Sequence, residues 1–393
     1  MVKRKNIPAL RFTGFEEEWI EKQLSEIVEV KSEKYNPEKE TNIIKCLELE
    51  HLAADGAGEL LGYIDGSCSG SIKNRFKKND ILFGKLRPYL KKYLKAPFDG
   101  VCSSEIWVLK GKTISNDYLY CLVQTNNFID LVNISSGSKM PRADWSVVAN
   151  GNFFIPSLPE QQKIASFLTA VDERIQQLTR KKKLLEQYKK GVMQKIFSRE
   201  IRFKDDKGKN FPDWEVKFAK DIFKNHTNKN HNGDLPILAA TQDKGVVYRD
   251  SIDIKIQSSQ ESINTYKIVE IGDFVISLRS FQGGIEYSKV YGICSPAYTV
   301  LKPKIEISNE FFRYYFKRES FIQQLSSTVI GIRDGKQISY EPFSGLKLLF
   351  PTVKEQEKIG SFITAFENKI ELVNTQLQKT QAWKNGLLQK MFV

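Results

Sequence analysis

Between Pro156 and Phe197, apolar residues recur on a seven-residue spacing at Ile164, Val171, Leu178, Leu185 and Val192, with Leu168 and Ile175 four residues after the first two. That period lays one apolar stripe along a helix. At ~1.5 Å per residue, about 40 residues span roughly 60 Å, far more than a helix needs to complete an ordinary domain. Ser157 followed by Glu160 spells a capping box, and Pro159 falls in the first turn, where a missing N–H costs nothing. The pattern predicts a long helix whose stripe is an interface seam.

The same pattern returns from Pro351 to Phe392 at a constant offset of 195 residues. Glu355, Gln356, Lys358, Ile359, Ser361, Phe362, Thr364 and Ala365 repeat Glu160, Gln161, Lys163, Ile164, Ser166, Phe167, Thr169 and Ala170. The seam recurs as Ile359, Phe366, Val373 and Leu387, with Thr380 the weak step, and Thr352 with Glu355 rebuilds the capping box. Two amphipathic helices could each lie on a separate core, but two near-identical seams in one chain more economically pack on each other. A chain that must return between them favours an antiparallel pair. Phe167, Tyr188, Phe362 and Trp383 lie off the seven-residue line and widen the stripe beyond what mutual packing covers.

Outside the helices the pattern is mixed. Ile81 to Leu86 and Val101 to Lys110 read as strands, and Ser115 to Val132 as a capped helix. A second copy follows: GICSPAYTVLK at 292–302 matches GVCSSEIWVLK at 100–110, ISNEFF at 307–312 matches ISNDYL at 114–119, and DFVISLR at 273–279 matches DILFGKLR at 80–87 with one residue of slippage. Arg202-Phe203 and Trp214 echo Arg11-Phe12 and Trp19, so the repeat unit begins at the N-terminal arm. The segments divide as a mixed domain over 1–155, a helix over 156–200, a second mixed domain over 201–350 and a second helix over 351–393. This is an α+β chain built as a pseudo-two-fold internal repeat, with two similar mixed α/β domains separated by two long antiparallel coiled-coil helices. The stretches between anchors diverge, which implies two modules of one design doing different versions of one job.

A net charge of +13 suits a polyanionic partner, nucleic acid above all. There is no apolar run long enough to span a membrane and no signal-like N-terminus, so a cytoplasmic protein with no membrane association is expected. The five cysteines lack paired C-x-x-C spacing and read as free thiols. Catalytic signatures fail one by one. The GKT at 111–113 has Ile106 where a phosphate-binding loop needs glycine, and no loop suits a nucleotide or S-adenosylmethionine. Pro212-Asp213 with Glu215 and Lys217 evokes a nuclease, but the carboxylates are too close in sequence and FPDW reads as a boundary turn. His226 and His231 are expected to be solvated rather than metal ligands. No catalytic, metal or cofactor site is expected in this chain.

What remains is DNA-contacting chemistry: Arg can read guanine with two hydrogen bonds, Asn and Gln can read adenine, and Lys neutralises phosphate. Candidates cluster in the divergent loops. They are Lys85, Arg87, Lys139 and Arg142 in the first copy, and Arg279, Gln282, Arg333, Lys336 and Gln337 in the second. Nearby Gly137, Gly283, Gly284, Gly331 and Gly335 would let backbone approach a groove. The basic run Arg180 to Lys183 sits on a helix and is expected to face solvent or a partner.

With its PSLPEQQKIA and FPTVKEQEKIG helix starts, its GIRDGKQI loop and its 195-residue repeat, the chain resembles a specificity subunit of a Type I restriction-modification system. The resemblance implies two target recognition domains, each reading one half of a split double-stranded DNA site. It also implies helices that act as spacer and dock two methyltransferase subunits, with motor and nuclease restriction subunits joining the assembly. Adenine methylation and cleavage, and therefore S-adenosylmethionine, ATP and Mg, would belong to those partners. The rival classes are a standalone methyltransferase or nuclease and a coiled-coil scaffold without DNA function.

Overall fold

A computed structural model describes residues 6–30, 32–40, 44–66, 70–134, 140–252, 259–328 and 338–393. The chain falls into two compact units, one of Met1–Arg180 with Asn374–Val393 and the other of Lys181–Val373. The two seams fold as helices Leu158–Phe197 and Val353–Met391, so each unit contains part of both.

In the first unit, Ile164, Leu168 and Val171 share a core with Leu387, Leu388 and Met391. Phe167 meets Trp383 edge-on with ring centroids 5.9 Å apart, and Asp172 pairs with Lys384 at 2.5 Å. Phe392 lies against Trp19, which bonds the start of the first helix at Glu160, while the earlier Lys384 meets the later Asp172. The helices therefore run antiparallel. The second unit repeats this: Lys189 bonds Glu367 at 2.6 Å, while Ile196 and Phe197 share a core with the earlier Ile359 and Ile363. The seam is buried at Ile164, Val171, Leu178, Ile359, Val373 and Leu387, and half-buried at Leu185, Val192, Phe366 and Thr380. Thr380 returns its hydroxyl to the carbonyl of Gln376 at 2.7 Å, which lets a polar residue occupy a seam position.

The capping boxes are replaced by something stronger. Glu160 accepts from Arg11 Nε at 2.7 Å, Arg11 Nη2 at 2.8 Å and Trp19 Nε1 at 3.2 Å. In the second unit Thr352 Oγ1 does accept from Glu355 N, at 3.4 Å, but the Glu355 carboxylate goes to Arg202 Nε at 3.2 Å and Nη2 at 3.0 Å. A two-pronged guanidinium outcompetes a neutral backbone N–H for a buried carboxylate. The next residue is also duplicated. Gln161 accepts from Ser115 N and donates to Pro156 O, and Gln356 accepts from Ser308 N and donates to Pro351 O. The repeated Glu-Gln pair thus ties arm, helix and domain together in each unit. Leu10 N bonds Lys390 O at 2.8 Å in the first unit, as Ile201 N bonds Lys195 O at 3.1 Å in the second.

Each unit holds a four-stranded antiparallel sheet of matching order. In the first, Val28–Glu29, Ile106–Gly111, Ile81–Gly84 and Tyr93–Lys95 lie side by side; in the second, Phe223–His226, Thr299–Pro303, Phe274–Ile276 and Glu286–Tyr287 do. A two-stranded ribbon closes each unit, Ile20–Gln23 with Asn152–Ile155 and Glu215–Phe218 with Lys347–Phe350. Beyond these the units differ. The first adds a five-stranded sheet, whereas the second has two separate two-stranded pairs.

Two expected elements divide. Val101 to Lys110 is not one strand: Ile106 N bonds Ser103 O at 3.0 Å in a turn, so Gly100–Cys102 joins the five-stranded sheet and Ile106–Gly111 the four-stranded one. The helix expected over Ser115 to Val132 is two, Asn116–Leu122 and Asn126–Asn133, because Thr125 takes an extended conformation and caps the second helix by accepting from Phe128 N.

Replacing Arg11 by Ala leaves Glu160, 1% exposed, without its cation, and the expected cost is about 3–5 kcal/mol. Guanidinium denaturation should show a lower midpoint for Arg11→Ala, with much of the loss recovered in Arg11→Met/Glu160→Gln, where no charge is buried unpaired.

Candidate nucleic-acid interface

In the first unit the buried strand Ile81–Gly84 runs outward into Lys85, Leu86 and Arg87. Backbone bonds fix this exit: Lys85 N to Glu105 O at 2.9 Å, Ala143 N to Lys85 O at 2.8 Å and Arg87 N to Pro141 O at 2.8 Å. A short turn, Pro88–Leu90, follows, flanked by Arg87 at φ 51° and Lys91 at φ 48°. Left-handed backbone at non-glycine residues costs of order 1–2 kcal/mol each. Here it is held by Asp55 N to Leu90 O at 2.8 Å and Gly56 N to Lys91 O at 3.2 Å. The turn presents exposed Arg87 and Tyr89, with half-buried Lys91 beside them. Arg142 lies alongside, because Leu86 and Arg142 form a bridge, and its Nε bonds Glu105 Oε2 at 3.0 Å. Lys85, Arg87 and Arg142 are thus gathered on one edge.

The second unit builds the same feature with different filling. Phe274–Ile276 exits into Ser277, Leu278 and Arg279, and a helical turn follows at Ser280–Gly283. Arg279 is exposed at the N-cap position of this turn, as Arg87 is of its own. Ser277 N bonds Ser280 Oγ at 2.8 Å inside the turn. Gln282 is exposed and lies 3.5 Å from Gln242 Nε2, on the tip of the hairpin Leu238–Thr241 with Gly245–Tyr248. Gly284, at φ +80°, brings its backbone so close to the neighbouring helix end that an added Cβ would lie 2.1 Å from Phe316 O.

Lys139, Arg333, Lys336 and Gln337 lie outside the described residues, as do Gly137, Gly331 and Gly335. Tyr89, Lys91, Gln242 and Lys244, the last exposed beside Gln242 on the hairpin tip, were not singled out by sequence. For Tyr89 and Lys91 the Arg-Pro-Tyr run after a buried strand was the available signal; for Gln242 and Lys244, whose neighbourhood depends on a hairpin docking on a distant turn, there was none.

The residues that evoked catalysis are otherwise engaged. Asp213 is solvent-exposed and pairs with Arg202, and Glu215 pairs with Lys217 at 3.2 Å. His231 is not solvated as expected: its Nε2 lies 3.0 Å from Tyr266 O and its Nδ1 accepts from Gly233 N, which makes it a loop staple. His226 is half-buried, and burial with nearby Lys302 lowers its pKa. Among the described residues no cluster of three or more His, Cys, Asp or Glu is arranged to hold a metal ion. Cys102, Cys121 and Cys294 are buried free thiols, and burial pushes Cys121 and Cys294 up to about 12, which disfavours the reactive thiolate.

The family described as type I restriction modification DNA specificity domain matches the chain twice, over residues 16–187 and 212–381. The chain belongs to this family. It is a specificity subunit, and its role is recognition rather than catalysis. Similar proteins include the MjaVIII specificity subunit of a type I restriction enzyme from Methanocaldococcus jannaschii, 24% identical over 316 residues that cover 74% of this chain and 72% of that one. The EcoDI specificity subunit from Escherichia coli is 34% identical over 95 residues, 24% of this chain and 21% of its own. The crystal structure of a type I restriction-modification S subunit from M. genitalium shares the fold at a TM-score of 0.59 and 15% identity, covering 98% of this chain and 99% of that one. A chain from a study of complex assembly and conformational transition of the type I system does so at 0.57 and 19% identity, covering 96% and 97%.

Gly284→Ala should cost more than about 1 kcal/mol, because both the conformation and the space forbid a side chain. Gly208, at φ +76° but with nothing within 4 Å, is the control. Denaturation of both variants checks this: Gly208→Ala is expected to lose clearly less.

Proposed function

We infer that each unit reads one half of a bipartite duplex DNA site, and that the long helices dock methyltransferase subunits that methylate adenine at the selected site. The observation that supports this most is the twin turn: in both repeats the central buried strand ends in an exposed arginine that opens a short turn held rigidly from behind. A rigid arginine can make the two hydrogen bonds that identify guanine, whereas lysines and backbone N–H groups nearby engage phosphate. The divergent filling of the two turns suits two different half-sites. Lys139, Arg333, Lys336 and Gln337 remain candidates for further contacts on the same chemical grounds.

The docking part rests on exposed apolar surface. In the first unit Trp383 is half-exposed although it touches Phe167; in the second, Leu184, Tyr188 and Leu372 are exposed on the helices. Such residues in contact with water suit a protein partner. Motor and nuclease subunits would add cleavage, and S-adenosylmethionine and ATP with Mg would bind to the partners. A subunit acting on cellular DNA works in the cytoplasm, and no helix among the described residues is long and apolar enough to cross a membrane.

In the assembled methyltransferase, Arg87→Ala should relax base preference at one half-site and Arg279→Ala at the other, each by about 1–3 kcal/mol per base-reading contact. Sequencing of methylated adenines reads both halves at once. Equal loss at both halves from either variant would mean that the arginines only neutralise phosphate.

Tyr188→Ser with Trp383→Ser should weaken assembly with methyltransferase subunits, as measured by sedimentation, while the half-site preferences of whatever complex forms stay as they were. Unchanged assembly would remove the helices' exposed faces as the docking surface.

A further inference from the structure

We propose that Lys317 is a positioning residue that fixes the Arg279–Gly284 turn of the second unit for reading its half-site, a role that rests on the DNA-reading assignment of that turn. Lys317 follows the helix Asn309–Tyr315. Its Nζ donates to Gly283 O at 2.8 Å, to Glu286 Oε1 at 2.5 Å and, more weakly, to Gln242 O at 3.4 Å. An ammonium has three N–H groups, and all three are directed at protein acceptors. Two of those acceptors are backbone carbonyls of the loops that carry the exposed polar side chains: Gly283 ends the turn that bears Arg279 and Gln282, and Gln242 sits at the hairpin tip. Lys317 therefore sets the position of one loop relative to the other.

The packing leaves little tolerance. A Cβ on Gly283 would lie 2.5 Å from Gln242 Cγ, so the two loops touch through the glycine. Ser326 Oγ holds the turn from another side by donating to Phe281 O at 2.5 Å.

Stability alone does not account for the pair. Glu286 is 2% exposed, its Oε2 is buried with no hydrogen-bond partner, and burial raises its pKa even with Lys317 adjacent. Removing both charges from such a site is often neutral or stabilising. What an apolar pair could not do is hold two carbonyls at fixed positions. Among the described residues, the matching turn of the first unit is held by backbone bonds from residues 55–56 and to Pro141, whereas in the second unit the carbonyl that ends the turn is held by the Lys317 ammonium.

The test uses the full methyltransferase assembly and reads methylation at the wild-type site and at every single-base variant of each half. Glu286→Gln keeps the Lys317 bonds to Gly283 and Gln242, and selectivity at both halves should stay at the wild-type level. Lys317→Met/Glu286→Gln removes the carbonyl anchors without orphaning a charge. Its discrimination at the second half-site should fall by at least about fivefold, the lower end of one base contact, while the first half-site keeps full discrimination. Lys317→Arg, which retains donors, should restore part of it. Equal loss at both halves, or wild-type discrimination in the folded double variant, would overturn the positioning role. A wild-type assembly with no base preference at the second half would instead overturn the DNA-reading assignment itself.

Discussion

A buried carboxylate at the start of each long helix is the joint on which the rest depends. Glu160 and Glu355 are almost wholly withdrawn from water, and each is made tolerable by an arginine delivered from the arm that precedes its domain. An ion pair of this kind is a poor source of net stability but a demanding source of geometry, because an unpaired buried charge would be far more costly than either alternative. It fixes where the arm, the helix and the closing ribbon meet. The neighbouring glutamine adds a second tie to the domain's own helix, and a phenylalanine pair adds a third, Phe12 with Phe167 and Phe203 with Phe362 at 5.6 and 5.4 Å. The motif repeated most faithfully in the chain therefore serves as a mechanical fastening.

From that joint the geometry propagates outward within each unit. The fastened helix is tied to the start of helix Asn116–Leu122 in the first unit and Asn309–Tyr315 in the second, that helix packs on the four-stranded sheet, and one of the sheet's inner strands leads into the arginine-led turn. The residues proposed to contact DNA are two layers away from the repeated motif. This division lets the outer loops vary while the inner fastening is kept, since the fastening makes no reference to what the loops carry.

The two units solve the problem of rigidity differently. In the first, the turn is held by main-chain bonds and accepts two left-handed non-glycine residues; in the second, glycines remove the steric conflict and a lysine supplies the anchor. Both routes bring the ordering cost forward to folding, so less is left to be met on binding.

The sequence by itself determined the duplication, the two long helices, their antiparallel course and the basic surface chemistry. Seam periodicity and an ungapped repeat are local, additive signals that survive without three-dimensional knowledge. It also placed Arg87 and Arg279 as candidates at the matching ends of two repeated stretches. Tertiary structure decided what local rules could not. Glu160 and Glu355 looked like partners for their own helix ends, and a stronger donor about 150 residues away in the chain took them instead. The stretches at 101–110 and 115–132 looked continuous because apolar content does not reveal a turn that hands the chain from one sheet to another, or a threonine that prefers to cap. His231 was expected to be solvated and Lys317 carried no signal in the sequence, and only the folding of distant loops onto them gave each its partners. Hydrophobic period is written along the chain, whereas the choice among competing hydrogen-bond partners depends on who arrives in space.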